Sequence, residues 1–322
     1  MFWTILALVG LIVGLALLAY SGDKAVEHSV SIALEWGLSP LIVGLILVSL
    51  GTDLPEIINS IMSSALGHGD INVGDSLGSV LVQMTLVLGI IPFLGGEFKV
   101  KRKEVAIIGA CEVLALMLAV SIAEKGYISR TNALFLVASW PIFMLLTRSS
   151  MTKPTAEKHI VKEKQIATPS NERNFHHFWI ALLGFVGVAI GAFIMIESVI
   201  ILSMVLQVPE YLISFFVVAI GTSLPELVVE ITAVRKKQYD LAIGDAIGSC
   251  VIDASFSIGI GPLIFANPSI AVSGGLIVTT GLYAIFGSVL VILALALGEK
   301  VNKTVGAFFI FLYLLSYATL SA

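Results

Sequence analysis

Apolar residues occur in long runs along this chain, separated by short polar segments. A run of about 20 apolar residues is long enough for a helix to cross a bilayer. The sequence therefore predicts an all-α membrane protein, with ten transmembrane helices in the order given by the runs. The predicted spans are 2–20, 39–66, 70–94, 104–124, 129–147, 177–199, 209–234, 240–265, 272–297 and 304–321.

Composition agrees with this pattern, since 57% of the residues are hydrophobic and 12% are charged, against about 25% charged in soluble domains. The basic residues are unevenly distributed between the loops. If the N-terminus is outside, 16 of the 18 Lys and Arg residues lie in inner loops, and only Lys125 and Arg130 lie outside. The positive-inside rule then predicts that both chain ends are outside.

Ten spans divide into five and five, and an odd number of spans per half makes the halves cross the membrane in opposite directions. We therefore predict a first five-helix repeat over residues 1–147 and a second, inverted repeat over 177–322. Residues 148–176 between them are rich in Lys, Glu, Ser and Thr, which predicts a flexible cytoplasmic linker.

Two polar motifs recur within the apolar runs at a constant offset of 170 residues. Gly-Thr-Asp-Leu-Pro-Glu at 51–56 matches Gly-Thr-Ser-Leu-Pro-Glu at 221–226, and Gly-Asp-Ser-Leu-Gly-Ser at 74–79 matches Gly-Asp-Ala-Ile-Gly-Ser at 244–249. Over 51–92, 14 of 42 residues are identical to their partners in 221–262. Interrupted helices at corresponding points of two halves are typical of a transporter's binding site.

The spacing within each motif places polar groups on one helix face. Thr52 and Glu56 are four residues apart, and so are Ser79 and Gln83, so each pair shares a face. Thr222 with Glu226 and Ser249 with Asp253 repeat this spacing in the second half. Each motif proline lacks an N–H group and should free backbone carbonyls near Thr52 and Thr222 from the helical ladder. The spaced glycines at 74, 78, 244 and 248 predict close helix packing.

All of these candidate groups offer oxygen, which hard cations such as Ca²⁺, Mg²⁺ and Na⁺ prefer, whereas zinc or copper would favour His or Cys. Like charges in a low-dielectric interior cannot all stay ionised without a counter-charge. Bound cations or protons must therefore neutralise the carboxylates, and this requirement suits exchange better than uniport.

The paired motifs resemble the two alpha repeats of the Ca²⁺/cation antiporter superfamily, which includes the prokaryotic Na⁺/Ca²⁺ exchangers. The resemblance implies a secondary antiporter, not an enzyme, that exchanges Ca²⁺ for Na⁺ by alternating access in the cell membrane of a prokaryote. It implies that the first and sixth helices move as a gate. Glu56 and Glu226 would be the central ligands, surrounded by Thr52, Thr222, Ser79, Ser249, Ser223 and Asp253.

This chain departs from the usual pattern of the superfamily at four positions. Asp53 replaces the usual Ser, Gln83 replaces Asn or Asp, and Asp75 and Asp245 stand where Asn is common. We therefore add Asp53 and Gln83 to the candidate metal ligands and treat Asp75 and Asp245 as candidate pathway residues. Glu112, inside the fourth predicted span, is either a second acid on the ion route or a structural, hydrogen-bonded Glu.

Three alternatives stay open at the level of sequence. On the same fold, transport could be coupled to H⁺, or the cargo could be Mg²⁺ or K⁺; Asp53 is the residue that favours such a change. An intramembrane aspartyl protease would use Asp75 and Asp245, but its Gly-x-Gly-Asp and Pro-Ala-Leu signatures are missing. A passive channel fits poorly with acidic sites suited to tight binding. We expect inorganic cations and the lipid bilayer as partners, with no cofactor, no nucleic acid and no obligate protein partner.

Overall fold

The computed structural model describes residues 2–35, 49–150, 171–235, 237, 239–298 and 300–320. The described residues form fifteen α-helices and two short strands. The helices are α1 (Phe2–Glu35), α2 (Ser49–Thr52), α3 (Leu54–Leu66), α4 (Gly69–Leu81), α5 (Leu88–Gly95), α6 (Arg102–Ala123), α7 (Arg130–Ser150), α8 (Asn171–Leu206), α9 (Glu210–Ile213), α10 (Ala219–Thr222), α11 (Leu224–Arg235), α12 (Tyr239–Ile252), α13 (Ile258–Phe265), α14 (Gly274–Leu297) and α15 (Lys303–Leu320).

Several of these α-helices join end to end into longer rods. π-Helical turns at Val82–Val87 and Asp253–Ser257 connect α4 to α5 and α12 to α13, and a third at Ser214–Val218 connects α9 to α10. Eight helical segments of the described chain are long and apolar enough to cross a membrane, and Lys303–Ala318 is a shorter apolar helix. The prediction of a helical membrane protein is therefore confirmed, while part of the predicted span 39–66 lies outside the described residues.

The predicted boundaries were too short for the first helix of each half. α1 contains 34 residues and α8 contains 36, so both extend beyond the apolar runs at 2–20 and 177–199. The residues added to α1 (21–35) and at the start of α8 (171–176) include charged and polar side chains, which end an apolar run. Residues 200–206 at the end of α8 are mostly apolar, so the predicted boundary at 199 was placed too early. The predicted linker is also helical at both its ends, since α7 continues to Ser150 and α8 begins at Asn171. Residues 151–170 lie outside the described chain.

α1 and α8 form the most extensive helix pair of the fold, and they run antiparallel. Gly10 contacts Ser198 near one end, Gly14 contacts Gly191 further along, and Gly184 contacts Ala25 near the other end. Small residues on both helices let the backbones approach closely. The two helices occupy corresponding positions at the 170-residue offset, yet their chain directions are opposite.

The close packing predicted for the glycine motif of the first half is present. A Cβ atom on Gly74 would come within 3.0 Å of the Ser214 Cβ, and one on Gly78 within 2.7 Å of the Ala219 Cβ. A Cβ atom on Gly248 would meet no described atom of a neighbouring helix within 4 Å, so the prediction is not met there by the described residues.

Short backbone pairings join the two halves outside the helices. β1 (Tyr127–Ser129) pairs antiparallel with β2 (Ser269–Ala271), and Phe98 forms an isolated bridge with Val301. Buried hydrophobic residues from both halves make up the largest core cluster, on α4, α6, α12 and α14 among others. The polar motifs therefore lie within a core that both halves build.

Candidate cation-binding site

Both motif helices break at the residue that precedes Leu-Pro-Glu. Asp53 has φ −77° and ψ 7°, and Ser223 has φ −79° and ψ 9°, so the same turn occurs twice. Pro55 stands in the first turn of α3, where its missing N–H is tolerated. In a continuous helix that N–H would pair with the carbonyl of Gly51, so proline removes one helical hydrogen bond at the break.

All ten predicted metal ligands lie inside the protein. Their side chains have exposed fractions between 0 and 8%, and Thr52 has the largest value. They are Thr52, Asp53, Glu56, Ser79, Gln83, Thr222, Ser223, Glu226, Ser249 and Asp253. Asp75 is also fully buried, whereas Asp245 is partly exposed. Burial of so many polar groups requires partners or a bound ion.

One hydrogen-bonded network joins α3, α4 and α10. The Thr222 hydroxyl donates to Asp75 Oδ1 at 2.8 Å, and Asn59 Nδ2 donates to Asp75 Oδ2 at 2.5 Å. The Ser79 hydroxyl lies 3.5 Å from Glu56 Oε1 and 3.4 Å from Thr222 Oγ1. Residues of both repeated motifs, from both halves of the chain, therefore meet at one place.

Gln83 and Asp253, which correspond at the 170-residue offset, contact each other directly. Gln83 Nε2 donates to Asp253 Oδ2 at 3.1 Å, and the Cys250 thiol lies 3.5 Å from Gln83 Oε1. Gln83 lies within the π-helical turn after α4, and Asp253 begins the one after α12. In this arrangement the amide nitrogen of Gln83 holds Asp253 in place, and the amide oxygen of Gln83 faces the Cys250 thiol.

Several oxygen atoms of the site have no hydrogen-bond partner. Both carboxylate oxygens of Glu226, both of Asp53 and Oε2 of Glu56 are buried without a hydrogen-bond partner, and so is the Ser223 hydroxyl. Glu226 interacts electrostatically with Glu56, Asp53 and Asp253. The buried residues of the described chain include no Lys, Arg or His, so no basic side chain offsets this charge there.

The chemistry of these donors fits a hard cation, because every unpartnered atom is an oxygen. In the described part of the chain, however, no three His, Cys, Asp or Glu side chains converge on one point as metal ligands. The carboxylates therefore surround a shared region without forming a closed coordination shell in this conformation.

Glu230 and Asn59 are buried polar residues close in sequence to the motif glutamates, and the sequence analysis did not name them. Glu230 is fully buried on α11, and neither of its carboxylate oxygens has a hydrogen-bond partner. Asn59 is also fully buried and donates to Asp75. The available signal was helical spacing, because Glu230 follows Glu226 by four residues and shares its face. Its first-half counterpart is Ser60, so a search for repeated acids could not find it.

Glu112 has a partner outside this network. Its Oε1 accepts a hydrogen bond from the Ser288 hydroxyl at 2.7 Å, so the carboxyl links α6 to α14. Its Oε2 has no partner, and the side chain is fully buried. Of the two sequence interpretations, the geometry matches the hydrogen-bonded structural Glu.

Broken helices with buried oxygen donors inside a bundle of apolar helices define a multi-pass integral membrane protein of the cation-transporter class. Comparison with known proteins gives the family. The profile of the sodium/calcium exchanger protein family matches residues 6–148 and 176–321, and the chain belongs to that family. This is a family of membrane exchangers and not of enzymes, which disfavours the protease alternative.

Individual relatives agree with this assignment. The chain is 30% identical to the inner membrane protein YrbG of Escherichia coli over 81% of its own length and 80% of the relative's. It is 26% identical to the sodium/calcium exchanger MaX1 of Methanosarcina acetivorans, over 79% and 82% of the two chains. The fold matches a solved structure of the sodium-calcium exchanger NCX_Mj with TM-score 0.61 and 25% identity, covering 98% of this chain and 99% of the other.

Proposed function

We propose that this protein is a secondary antiporter that exchanges Ca²⁺ for Na⁺ by alternating access. One observation carries the proposal. Glu56 and Glu226 lie just after matching helix breaks, fully buried, with three of their four carboxylate oxygens unpartnered. Buried carboxylates without partners are costly, so the site requires a cation or proton in each state, as an exchanger does.

In this proposal, Glu56 and Glu226 bind Ca²⁺ between them near the middle of the membrane. Thr52, Ser79, Thr222, Ser223, Ser249 and Asp253 supply further oxygen ligands, from hydroxyls, the Asp253 carboxylate and the freed carbonyls. Ca²⁺ takes six to eight oxygen ligands in flexible geometry, which this mixed donor set can provide. Asp53 adds a fourth acid to Glu56, Glu226 and Asp253, while Gln83 holds Asp253.

We also propose the architecture of ten spans in two inverted repeats, 1–147 and 177–322, with both termini outside. The antiparallel pairing of α1 with α8 supports inversion, because these helices correspond in sequence. The matching dihedral angles at the two breaks support the repeat. The separate profile matches to 6–148 and 176–321 support a boundary near the predicted linker.

The packing of α1 against α8 supports their role as the moving gate. Gly14 and Gly191 let the two backbones approach closely at the middle of the pair. The rest of this interface is a separate apolar cluster made mainly by the two helices, away from the core that holds the polar motifs, so the pair could move as a unit against that core. The gate would expose the carboxylate site alternately to each side of the membrane.

Binding of Ca²⁺ to purified variants tests the site directly. We expect Glu56→Gln or Glu226→Gln to raise the Ca²⁺ concentration needed for half-maximal thermal stabilisation at least about a hundredfold. The reason is that each change removes one ligand charge at a low-dielectric site. Glu112→Gln is the matched control, since it neutralises a buried acid bonded to Ser288 and should bind Ca²⁺ normally. Normal Ca²⁺ stabilisation of both motif variants would overturn the assignment.

A second candidate function is favoured by Asp53 alone. Its carboxylate is fully buried, with the Ser249 hydroxyl as its polar neighbour, and it interacts electrostatically with Glu56 and Asp245. An additional acid of this kind could couple transport to H⁺ or shift the preferred divalent to Mg²⁺. Transport that depends on a pH gradient and is indifferent to Na⁺ would favour this candidate.

A further inference from the structure

The side-chain amide of Gln83 is held at both of its ends by residues of the second half. Its Nε2 donates to Asp253 Oδ2 at 3.1 Å, and its Oε1 accepts from the Cys250 thiol at 3.5 Å. All three side chains are fully buried. Gln83 lies in the π-helical turn after α4 and Cys250 lies on α12, so the amide is oriented by contacts between the halves.

The Cys250 thiol favours one direction of this amide. A carboxylate only accepts hydrogen bonds, so the amide nitrogen must face Asp253 while that residue is ionised. A protonated Asp253 could donate instead, and the amide oxygen could then turn toward it. Because the thiol is a donor at the opposite end of the amide, it favours the observed direction in either charge state of Asp253.

The Gln83 amide also differs from the motif glutamates in having partners at both ends. Neither of its polar atoms is among the buried atoms without a hydrogen bond, whereas both carboxylate oxygens of Glu226 are. A buried polar atom without a partner is costly, and a bound cation removes this cost. The Gln83 oxygen already has a donor, so a cation gains less from it than from the glutamates.

The donor at position 250 occurs in only one half of the repeat. Cys250 corresponds to Val80 at the 170-residue offset, and a Val side chain has no hydrogen-bonding group. The two counterparts meet, since the Cys250 Sγ lies 3.8 Å from the Val80 carbonyl oxygen. The halves therefore differ where their functional side chains differ, because an amide at 83 has an oxygen that needs a donor and an ionised carboxylate at 253 already faces one.

We propose that Cys250 is a positioning residue of the cation site, whose thiol fixes the direction of the Gln83 amide. Gln83 then orients Asp253 through its nitrogen and does not offer its oxygen to the cation, in contrast to the ligand role that the sequence predicts. The contact itself rests on the geometry, whereas its effect on Ca²⁺ binding rests on the proposed function.

Ca²⁺-dependent thermal unfolding of the purified full-length protein tests this role. We expect Cys250→Ala to raise the Ca²⁺ concentration for half-maximal stabilisation about fivefold, the equivalent of one lost neutral hydrogen bond. Cys250→Ser keeps a donor and should remain within about twofold of the wild type. Cys111→Ala is the matched control, because it removes the other buried cysteine and should leave the titration unchanged.

A double-variant cycle separates positioning from packing. Gln83→Leu removes the amide, so Cys250→Ala should have no further effect in that background. An equal effect of Cys250→Ala with and without the amide would mean that the thiol acts through packing, and it would overturn the inference. An unchanged titration in Cys250→Ala would do the same, as would a loss in Cys250→Ser equal to that in Cys250→Ala.

The infrared S–H stretching band reports the contact independently of ion affinity. It is recorded in the Cys111→Ala variant, where Cys250 is the remaining cysteine. We expect a hydrogen-bonded band that keeps its position at saturating Ca²⁺ and moves to that of a free thiol when Gln83→Leu is added. Movement toward the free position on Ca²⁺ binding would show that the Gln83 oxygen leaves the thiol for the ion, which contradicts the proposed role.

The outcomes separate this inference from the proposed function. A wild type stabilised by Na⁺ or Mg²⁺ but never by Ca²⁺ would contradict Ca²⁺ exchange, and the same variants titrated with that ion would still decide the role of Cys250. A band that does not respond to Gln83→Leu would overturn the thiol contact, whichever cation the protein binds.

Discussion

The Asp75 side chain on α4 contacts α3 and α10, and its contribution to stability could come from its charge or from its hydrogen bonds. Both of its carboxylate oxygens accept hydrogen bonds, from Thr222 and from Asn59. Asn59 Oδ1 has no partner. If residue 75 were an amide, the Asn59 amide could turn over, accept from residue 75 and leave the Thr222 bond intact.

We therefore expect Asp75→Asn to keep nearly the wild-type stability, because each hydrogen bond can be replaced. Asp75→Ala should lower the free energy of unfolding by about 1–3 kcal/mol, since it leaves the Thr222 and Asn59 donors without their acceptor. Thermal unfolding in detergent measures both. If Asp75→Asn is as damaging as Asp75→Ala, an amide cannot replace these hydrogen bonds and this account of Asp75 is wrong.

Sequence could predict most residues of the candidate site, because the repeat marks them twice. The Thr, Glu and Ser positions of both motifs are all buried as expected. It could not predict Glu230, which has no acidic counterpart, or the contact of Gln83 with Asp253. That contact depends on how two helices from different halves approach each other, and spacing along one helix carries no such information.

At the scale of elements, the two helix breaks have closely matching backbones. Asp53 and Ser223 have nearly the same backbone dihedral angles, although one is an acid and the other an alcohol. The backbone therefore does not require either side chain. The difference between these positions concerns charge and not conformation.

An exchange of these two residues tests that conclusion. Asp53→Ser should change the affinity for Ca²⁺ relative to other cations about tenfold. The change should be toward the preference expected of a Na⁺/Ca²⁺ exchanger with Ser at this position, because one charge is removed from the site. The double variant Asp53→Ser/Ser223→Asp should restore the wild-type preference, since the acid returns on an equivalent turn. Competition of unlabelled cations with labelled Ca²⁺ measures both, and an unchanged profile in Asp53→Ser would place Asp53 outside the site.

Helix existence was predictable from apolar runs, and helix detail was not. The runs located every helix long enough to cross the membrane in the described chain. The π-helical turns at Val82–Val87 and Asp253–Ser257 were not predicted. The four-residue spacing of the motif residues is a property of the sequence, and it is the same whether the chain forms an α-helix or a π-helix. π-Helical turns are rare and occur mostly as short interruptions of α-helices, so helical spacing alone does not predict them.

At the scale of the whole molecule, the central structural prediction is inversion of the two halves. The pairing of α1 with α8 shows opposite chain directions for corresponding helices. The loop pairings follow the same pattern, since Phe98 contacts Val301 while β1 contacts β2. Each pairing joins a loop of one half to a loop of the other.

Cysteine accessibility in intact cells tests the predicted orientation. Both native cysteines, Cys111 and Cys250, are buried and can be replaced by Ala to give a silent background. We expect Lys125→Cys to react with an impermeant thiol reagent from outside and Lys158→Cys to react only after permeabilisation. The reverse pattern would show that both termini are inside.

The most direct test of the proposed exchange is uptake of labelled Ca²⁺ into proteoliposomes loaded with Na⁺, choline or acidic buffer. We predict uptake that requires internal Na⁺ and that is lost in Glu56→Gln but kept in Glu112→Gln. Uptake driven by internal acid with no effect of Na⁺ would contradict Na⁺/Ca²⁺ exchange, as would the absence of Ca²⁺ uptake under every gradient.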